Sequence, residues 1–310
     1  MSQIKAWKLI SLFCLVSLLM GCESKEEQLK QTIQQSIEKA EVELNQLGTA
    51  LDNGSLRNAT LLKQYAKVLT EQQPQLSEIA RVISLDATRE GAIYSGLKQR
   101  LADVKATSLI PPYEDTLHQL DLIRDAAKPS LFQDALTDPI NMLADMSNGA
   151  LARVGAISEA AEGESVGNQL VGNPNYGQWQ TNSSGTSFWV WYGMYRMLGD
   201  VFDRVEYGRW SRNRKYSYYN DYGRYRYSSP KQIKAQQTVE TRTRQSYQRQ
   251  GKQFTSPYAT KRSGASGLSR SSYTPPRTRS SYASSSSYSK SSGSLRNSSS
   301  RTSRGISRGK

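Results

Sequence analysis

Apolar residues recur at intervals of four and three through the first half of the chain, the spacing that gathers side chains on one face of an α-helix. Leu29, Ile33, Ile37, Ala40, Leu44, Leu47 and Leu51 form the longest such series, and Asp52-Asn53-Gly54 ends it. Just ahead of it, Ser24 and Glu27 have the spacing of a capping box, in which the Ser oxygen accepts from an orphan N–H and the Glu reaches back to the cap. A second series, Leu61, Leu62, Tyr65, Val68 and Leu69, leads to Pro74, and Leu76, Ile79, Val82 and Ile83 continue beyond it. Pro74 is therefore expected to start a new helix or kink one. Ile93, Leu97, Leu101 and Val104 carry the period to Pro111-Pro112. Leu117, Leu120 and Ile123, then Leu131, Leu136, Ile140 and Leu143, mark shorter helices around Pro129 and Pro139. Antiparallel neighbours joined by short turns predict a mainly α fold, a helical bundle or long helical hairpin over roughly residues 24–160. Several stripes are available to cover one another, so they are read as the chain's own core, with an intermolecular coiled coil as the alternative.

Upstream of that bundle lies a different kind of apolar run. Lys5 and Lys8 precede residues 9–20, which are apolar except for Ser11 and Ser17, the layout of a secretory signal. Twelve residues fall short of the ~20 a helix needs to cross a bilayer. Leu19-Met20-Gly21-Cys22 resembles the lipobox of bacterial lipoproteins, in which the Cys sulfur is acylated and the chain is cleaved immediately before it. The resemblance covers only the first 22 residues. It implies a signal peptide over residues 1–21, a lipid on Cys22 and an envelope location without a membrane-spanning segment. Glu23 after the Cys is similar to most lipoproteins of the outer membrane, so the periplasmic face of that membrane is the expected site if the host is Gram-negative. Cys14 and Cys22 are the only cysteines, and losing both to the signal and the lipid leaves no pair for a disulfide and no Cys/His cluster for a metal.

Charge divides the remainder sharply. Residues 22–165 carry 22 acidic and 14 basic side chains, whereas residues 166–310 carry 5 acidic and 25 basic. Such asymmetry points to regions with different jobs. The acidic helical domain is placed at 22–165, a Gly/Asn-rich loop with an aromatic and Arg-rich segment at 166–230, and a Ser/Arg-rich tail at 231–310. Within the middle region, "FWVWYGMYRMLGDVF", residues 188–202, is the densest apolar stretch after the signal. Three readings of it stand: a helix docked on the bundle, an interfacial membrane helix, and a protein-binding hot spot containing Trp189, Trp191 and Tyr192. The following stretch interleaves Arg209, Arg212, Arg214, Arg224 and Arg226 with Tyr218 and Tyr222, a mixture that clamps sugars or anions through cation and ring together. Export makes nucleic acid a poor default partner. Peptidoglycan, lipopolysaccharide and anionic lipid are the anions an envelope supplies. From Lys231 the tail has too few apolar residues to offset its ordering entropy and is expected to be disordered, with an r.m.s. span of ~50 Å.

Candidate chemistry is sparse. His118 is the only histidine and lies near Glu114, Asp115 and Asp121, but without a nucleophile nearby it reads as an ordinary polar side chain. Glu159, Glu162 and Glu164 fall among Ala, Gly and Ser, the composition of a solvated linker. The chain has no GxxxxGK[ST], HExxH or GxGxxG, so no enzyme, cofactor or metal is expected. The favoured expectation is a lipid-anchored envelope protein whose basic C-terminal region contacts an anionic surface. The runner-up is an accessory subunit that grips a protein partner through the helices and residues 188–202.

Overall fold

The structure is a computed structural model that describes residues 24–154, 168–202, 204–214 and 216–258. The signal segment, Cys22, Glu23, the Glu159–Glu164 cluster and residues 259–310 lie outside the described residues.

The fold is mainly α, as the periodicity predicts. Helix α1, Lys25–Asp52, starts on the expected capping box: the Glu27 amide donates to Ser24 Oγ at 3.2 Å, and the Ser24 amide donates to Glu27 Oε2 at 3.0 Å. Its stripe from Ile33 to Leu51 is buried, with Leu29 packed at the margin. Asn53 stops it, its Oδ1 accepting from the Ser55 amide at 3.0 Å. Helix α2, Arg57–Gln72, ends before Pro74, which sits at the first position of a 3-10 turn, Pro74–Leu76, leading into α3, Ser77–Ser84. That is the position where a missing N–H costs nothing. Helices α4, Ala92–Thr107, α5, Tyr113–Ala127, α6, Pro129–Ala135, and α7, Thr137–Met146, complete the bundle.

Cross-links fix the directions. Helix α5 runs parallel to α1, since Tyr113 at its start donates to Glu26 at 3.0 Å and Arg124 near its end donates to Glu43 at 2.8 Å. Helix α4 runs the other way: Lys105 near its C-terminus pairs with Glu41, while Arg89 before its start pairs with Asp52 at 2.7 Å.

Beyond the bundle the structure corrects two expectations. Residues 188–202 are not one helix. Strand β1, Gly177–Thr181, pairs antiparallel with β2, Ser187–Trp191, in the register Gly177↔Trp191, Trp179↔Trp189 and Thr181↔Ser187. A 3-10 turn, Gly193–Met197, and the short helix α8, Leu198–Val201, follow. The reason lies in the alternation of Phe188-Trp189-Val190-Trp191: every second side chain is buried, a period of two rather than 3.6. Gly185 at φ +82° shapes the turn, and Asn182 Oδ1 accepts from the Thr186 amide at 2.9 Å. After α9, Tyr207–Asn213, a π-helical turn, Tyr219–Gly223, runs into α10, Arg224–Tyr227.

The second correction concerns the tail. Residues 230–249 are not disordered; they form helix α11, Pro230–Arg249, opened by a capping box between Ser229 and Gln232 with Pro230 at its first position. Gln236, Val239 and Thr243 turn inward. One hydrophobic core runs from Ile33 through Leu143, Tyr176, Trp191 and Tyr219 to Val239. Residue 165 is therefore not a boundary between a packed domain and appended segments.

Candidate functional site

Of the ten aromatic and cationic side chains expected to meet an anion or partner, six are interior: Trp189, Trp191, Arg214, Tyr218, Arg224 and Arg226 are each no more than 8% exposed. Their partners explain why. Arg214 forks onto Asp221 at 2.5 and 3.1 Å, and its Nε donates to the Pro257 carbonyl at 2.9 Å. Arg224 Nε donates to Gln236 at 2.7 Å, with its guanidinium 3.9 Å from the Tyr258 ring centre. Arg226 donates to Tyr218 Oη at 3.3 Å. These cations are internal braces, desolvated and held by planar hydrogen bonding that suits guanidinium. Trp189 packs edge-on against Trp179 and Trp191, and Trp179 in turn meets Tyr207 and Trp210, with ring centres 4.8–5.9 Å apart. Tyr222 is half-buried. Tyr192, Arg209 and Arg212 remain exposed.

Two buried carboxylates, neither singled out by the sequence, lock the C-terminal half to the helices. Asp86 accepts from the Ala92 amide at 2.9 Å, Tyr195 Oη at 3.1 Å and Tyr176 Oη at 2.9 Å. Asp138, at the start of α7, accepts from Ser217 Oγ at 2.9 Å and the Tyr218 and Tyr219 amides at 2.7 and 3.0 Å. Burial outweighs these donors and pushes Asp86 up to about 6 and Asp138 up to about 7. All their partners are the fold's own amides and hydroxyls, so they act as latches rather than as groups facing a substrate. His118 is half-buried on α5. No three His, Cys, Asp or Glu side chains converge among the described residues.

A groove of about 470 Å³ beside α4 is lined by Glu90, Gln99, Arg100 and Asp103 together with Asn175, Tyr192, Met194 and Gln232. Tyr192 and Met194 stand on it 39% and 46% exposed. Amides and carboxylates beside an aromatic face suit a polar, hydrogen-bonding ligand or a peptide.

The outward cations have a separate distribution. Arg209 and Arg212 on α9, Lys231, Arg242 and Arg249 on α11, and Lys252 just beyond it are all exposed. Arg212 lies over the Tyr247 ring at 5.8 Å, joining the two helices at the surface. The one acid of α11, Glu240, is paired with Arg244 at 2.8 Å. No helix among the described residues is long and apolar enough to cross a membrane. Compared with protein-family models, curated proteins and solved structures, the chain matches none of them.

Proposed function

We propose that the chain is a lipid-anchored, non-enzymatic envelope protein. Lipid on Cys22 holds the end where α1 begins, the helical body is a spacer, and the C-terminal cations contact an anionic envelope surface: peptidoglycan, lipopolysaccharide or anionic lipid. In a Gram-negative host the place is the periplasmic face of the outer membrane. The observation that carries this reading is the outward set Arg209, Arg212, Lys231, Arg242, Arg249 and Lys252, continued by eleven Lys and Arg and no Asp or Glu in residues 259–310. A surface with an excess of positive charge raises the local concentration of a polyanion and binds it in a salt-dependent way. Spacing supports it as well. The 28 residues of α1 extend ~42 Å at 1.5 Å per residue, and the far end of α1 meets Arg89, close in sequence to the Asp86 latch that holds Tyr176 and Tyr195.

The test is cosedimentation of residues 23–310, and of a version ending at Tyr258, with purified peptidoglycan and with anionic vesicles at low and high salt. Ending at residue 258 keeps the whole described core; ending at 165 would remove part of it. Salt-sensitive pelleting that is strongest for the longer chain is expected. Equal pelleting of both at high salt, or none, refutes the proposal. A second reading, an accessory subunit of an envelope complex, is favoured by one observation, the exposed Tyr192 and Met194 on the groove. Loss of a co-purifying envelope protein on Tyr192→Ala and Met194→Ala would support it.

A further inference from the structure

The turn between α4 and α5 sends two aliphatic side chains into solvent. Leu109 is 69% exposed and Ile110 61%, more than any other large hydrophobic side chain among the described residues. The backbone there is fixed: the Ser108 and Ile110 amides donate to the Lys105 and Thr107 carbonyls at 3.3 and 3.0 Å, and Pro111-Pro112 leads directly into α5. Two neighbouring aliphatic side chains held outward on one turn are an apolar spot whose burial would be favourable.

Where the turn sits identifies what would bury them. Tyr113, immediately after Pro112, is buried against the first turns of α1: its Oη donates to Glu26 at 3.0 Å and Lys30 lies 5.7 Å from its ring centre. Glu26 and Lys30 are themselves paired at 2.7 Å. Ser24 caps this same end of α1, and Cys22 precedes it by two residues, at most ~7 Å of chain. Nearby charges are mixed, Lys25, Lys30 and Lys105 against Glu26, Glu27, Glu41, Glu114 and Asp115, with Lys105 bonded to Glu41. The contact is therefore apolar rather than electrostatic.

We propose that Leu109 and Ile110 enter the headgroup–acyl boundary of the phospholipid bilayer that anchors the chain. This rests on the lipid-anchor reading. A single attachment at Cys22 leaves the body free to swivel; a second apolar contact a short distance away fixes its tilt, as paired weak membrane signals do.

The experiment uses the mature full-length protein in phosphatidylcholine vesicles. Ile110→Cys, and separately the exposed α4 position Lys98→Cys, are labelled with an environment-sensitive fluorophore, and intact mass reports acylation of Cys22. Both positions face solvent, so neither label enters the core. Several-fold stronger quenching by acyl-chain-brominated lipid at 110 than at 98, with acyl mass present, is the expected result. Acyl mass present but equal quenching by aqueous iodide at both positions overturns the membrane contact and leaves the anchor intact. A mature mass without acyl chains overturns both.

Discussion

Stability should fall as pH rises from 5 to 8, against the usual behaviour of surface carboxylates paired with cations. The perturbation is deprotonation of Asp138 and Asp86. Burial raises Asp138 from 3.8 to about 7 and Asp86 from 3.8 to about 6. Above 3.8 the unfolded chain releases these protons while the native state retains them, until pH passes the folded value. Stability is thus full below the unfolded pKa and is lost through this window. At about 1.4 kcal/mol per pH unit for each group, Asp138 costs roughly 2–3 kcal/mol between pH 5 and pH 8 and Asp86 roughly 1–1.5, about 4 kcal/mol together. That is a large share of a typical domain's 5–15 kcal/mol. Urea unfolding of residues 23–310 followed by tryptophan fluorescence at each pH measures it, because Trp189, Trp191 and Trp210 are buried. Asp138→Asn should remove its share of the slope and leave that of Asp86. A free energy that is flat or rises from pH 5 to 8 would refute the reasoning. The amide and hydroxyl donors around the two carboxylates would then outweigh burial and hold them ionised.

Replacing Arg214 by Met leaves Asp221 charged at 0% side-chain exposure and should cost about 3–5 kcal/mol in denaturant unfolding; adding Asp221→Asn should recover part of it. Gly177→Ala would place a Cβ 2.3 Å from the Val190 carbonyl oxygen. It should break the hairpin and lower stability by roughly 1–3 kcal/mol, read as a drop in Tm. Tyr227 Oη lies 3.1 Å from both the Ala126 and Leu131 carbonyls and shares its one proton between them, so Tyr227→Phe should cost about 1–3 kcal/mol by leaving buried acceptors short of a donor. A chain ending at residue 165 loses Tyr176, Tyr195, Tyr219 and Tyr227 from the core and should show no cooperative thermal transition, whereas one ending at 258 should keep its Tm.

The helical half was legible because its signals are local. A stripe at four-three spacing, a Ser-x-x-Glu cap and a Pro at a helix start each act within a few residues, and each appears in the structure where the sequence places it. The start of α11 was equally legible in principle: Ser229-Pro230-Lys231-Gln232 repeats the capping signature. Average composition hid it, since a helix whose inward residues are Gln236, Val239 and Thr243 looks too polar to pack. The hairpin could be read from its alternation, but residues 188–202 considered as one window mix a strand, a 3-10 turn and a short helix. Asp86 and Asp138 gave little local sign: apart from the Ala92 amide six residues on, their partners are hydroxyls and amides 79 to 109 residues away.

Counting charge along the chain overstates what a ligand can reach. The basic excess of residues 166–310 includes Arg214, Arg224 and Arg226, whose guanidinium groups are occupied by Asp221, Gln236 and Tyr218 inside the fold. The interleaved Arg and Tyr that look like an anion clamp in sequence instead close a core made without disulfides. Ring edges and forked hydrogen bonds there give directional packing that aliphatic side chains do not. Among the described residues of this half, exposed cations include Arg196, Arg204, Arg209 and Arg212, Lys231, Arg242 and Arg249 on α11, and Lys252. In the proposed reading, lipid is attached at the other end of the chain, ahead of α1. A tether needs its two contacts on separate parts of the body, so that holding one leaves the other free to find its surface. If the chain is such a tether, the burial of the central arginines serves that separation: Arg214, Arg224 and Arg226 are withdrawn from solvent, and the basic residues of the last fifty lie far along the chain from the proposed anchor.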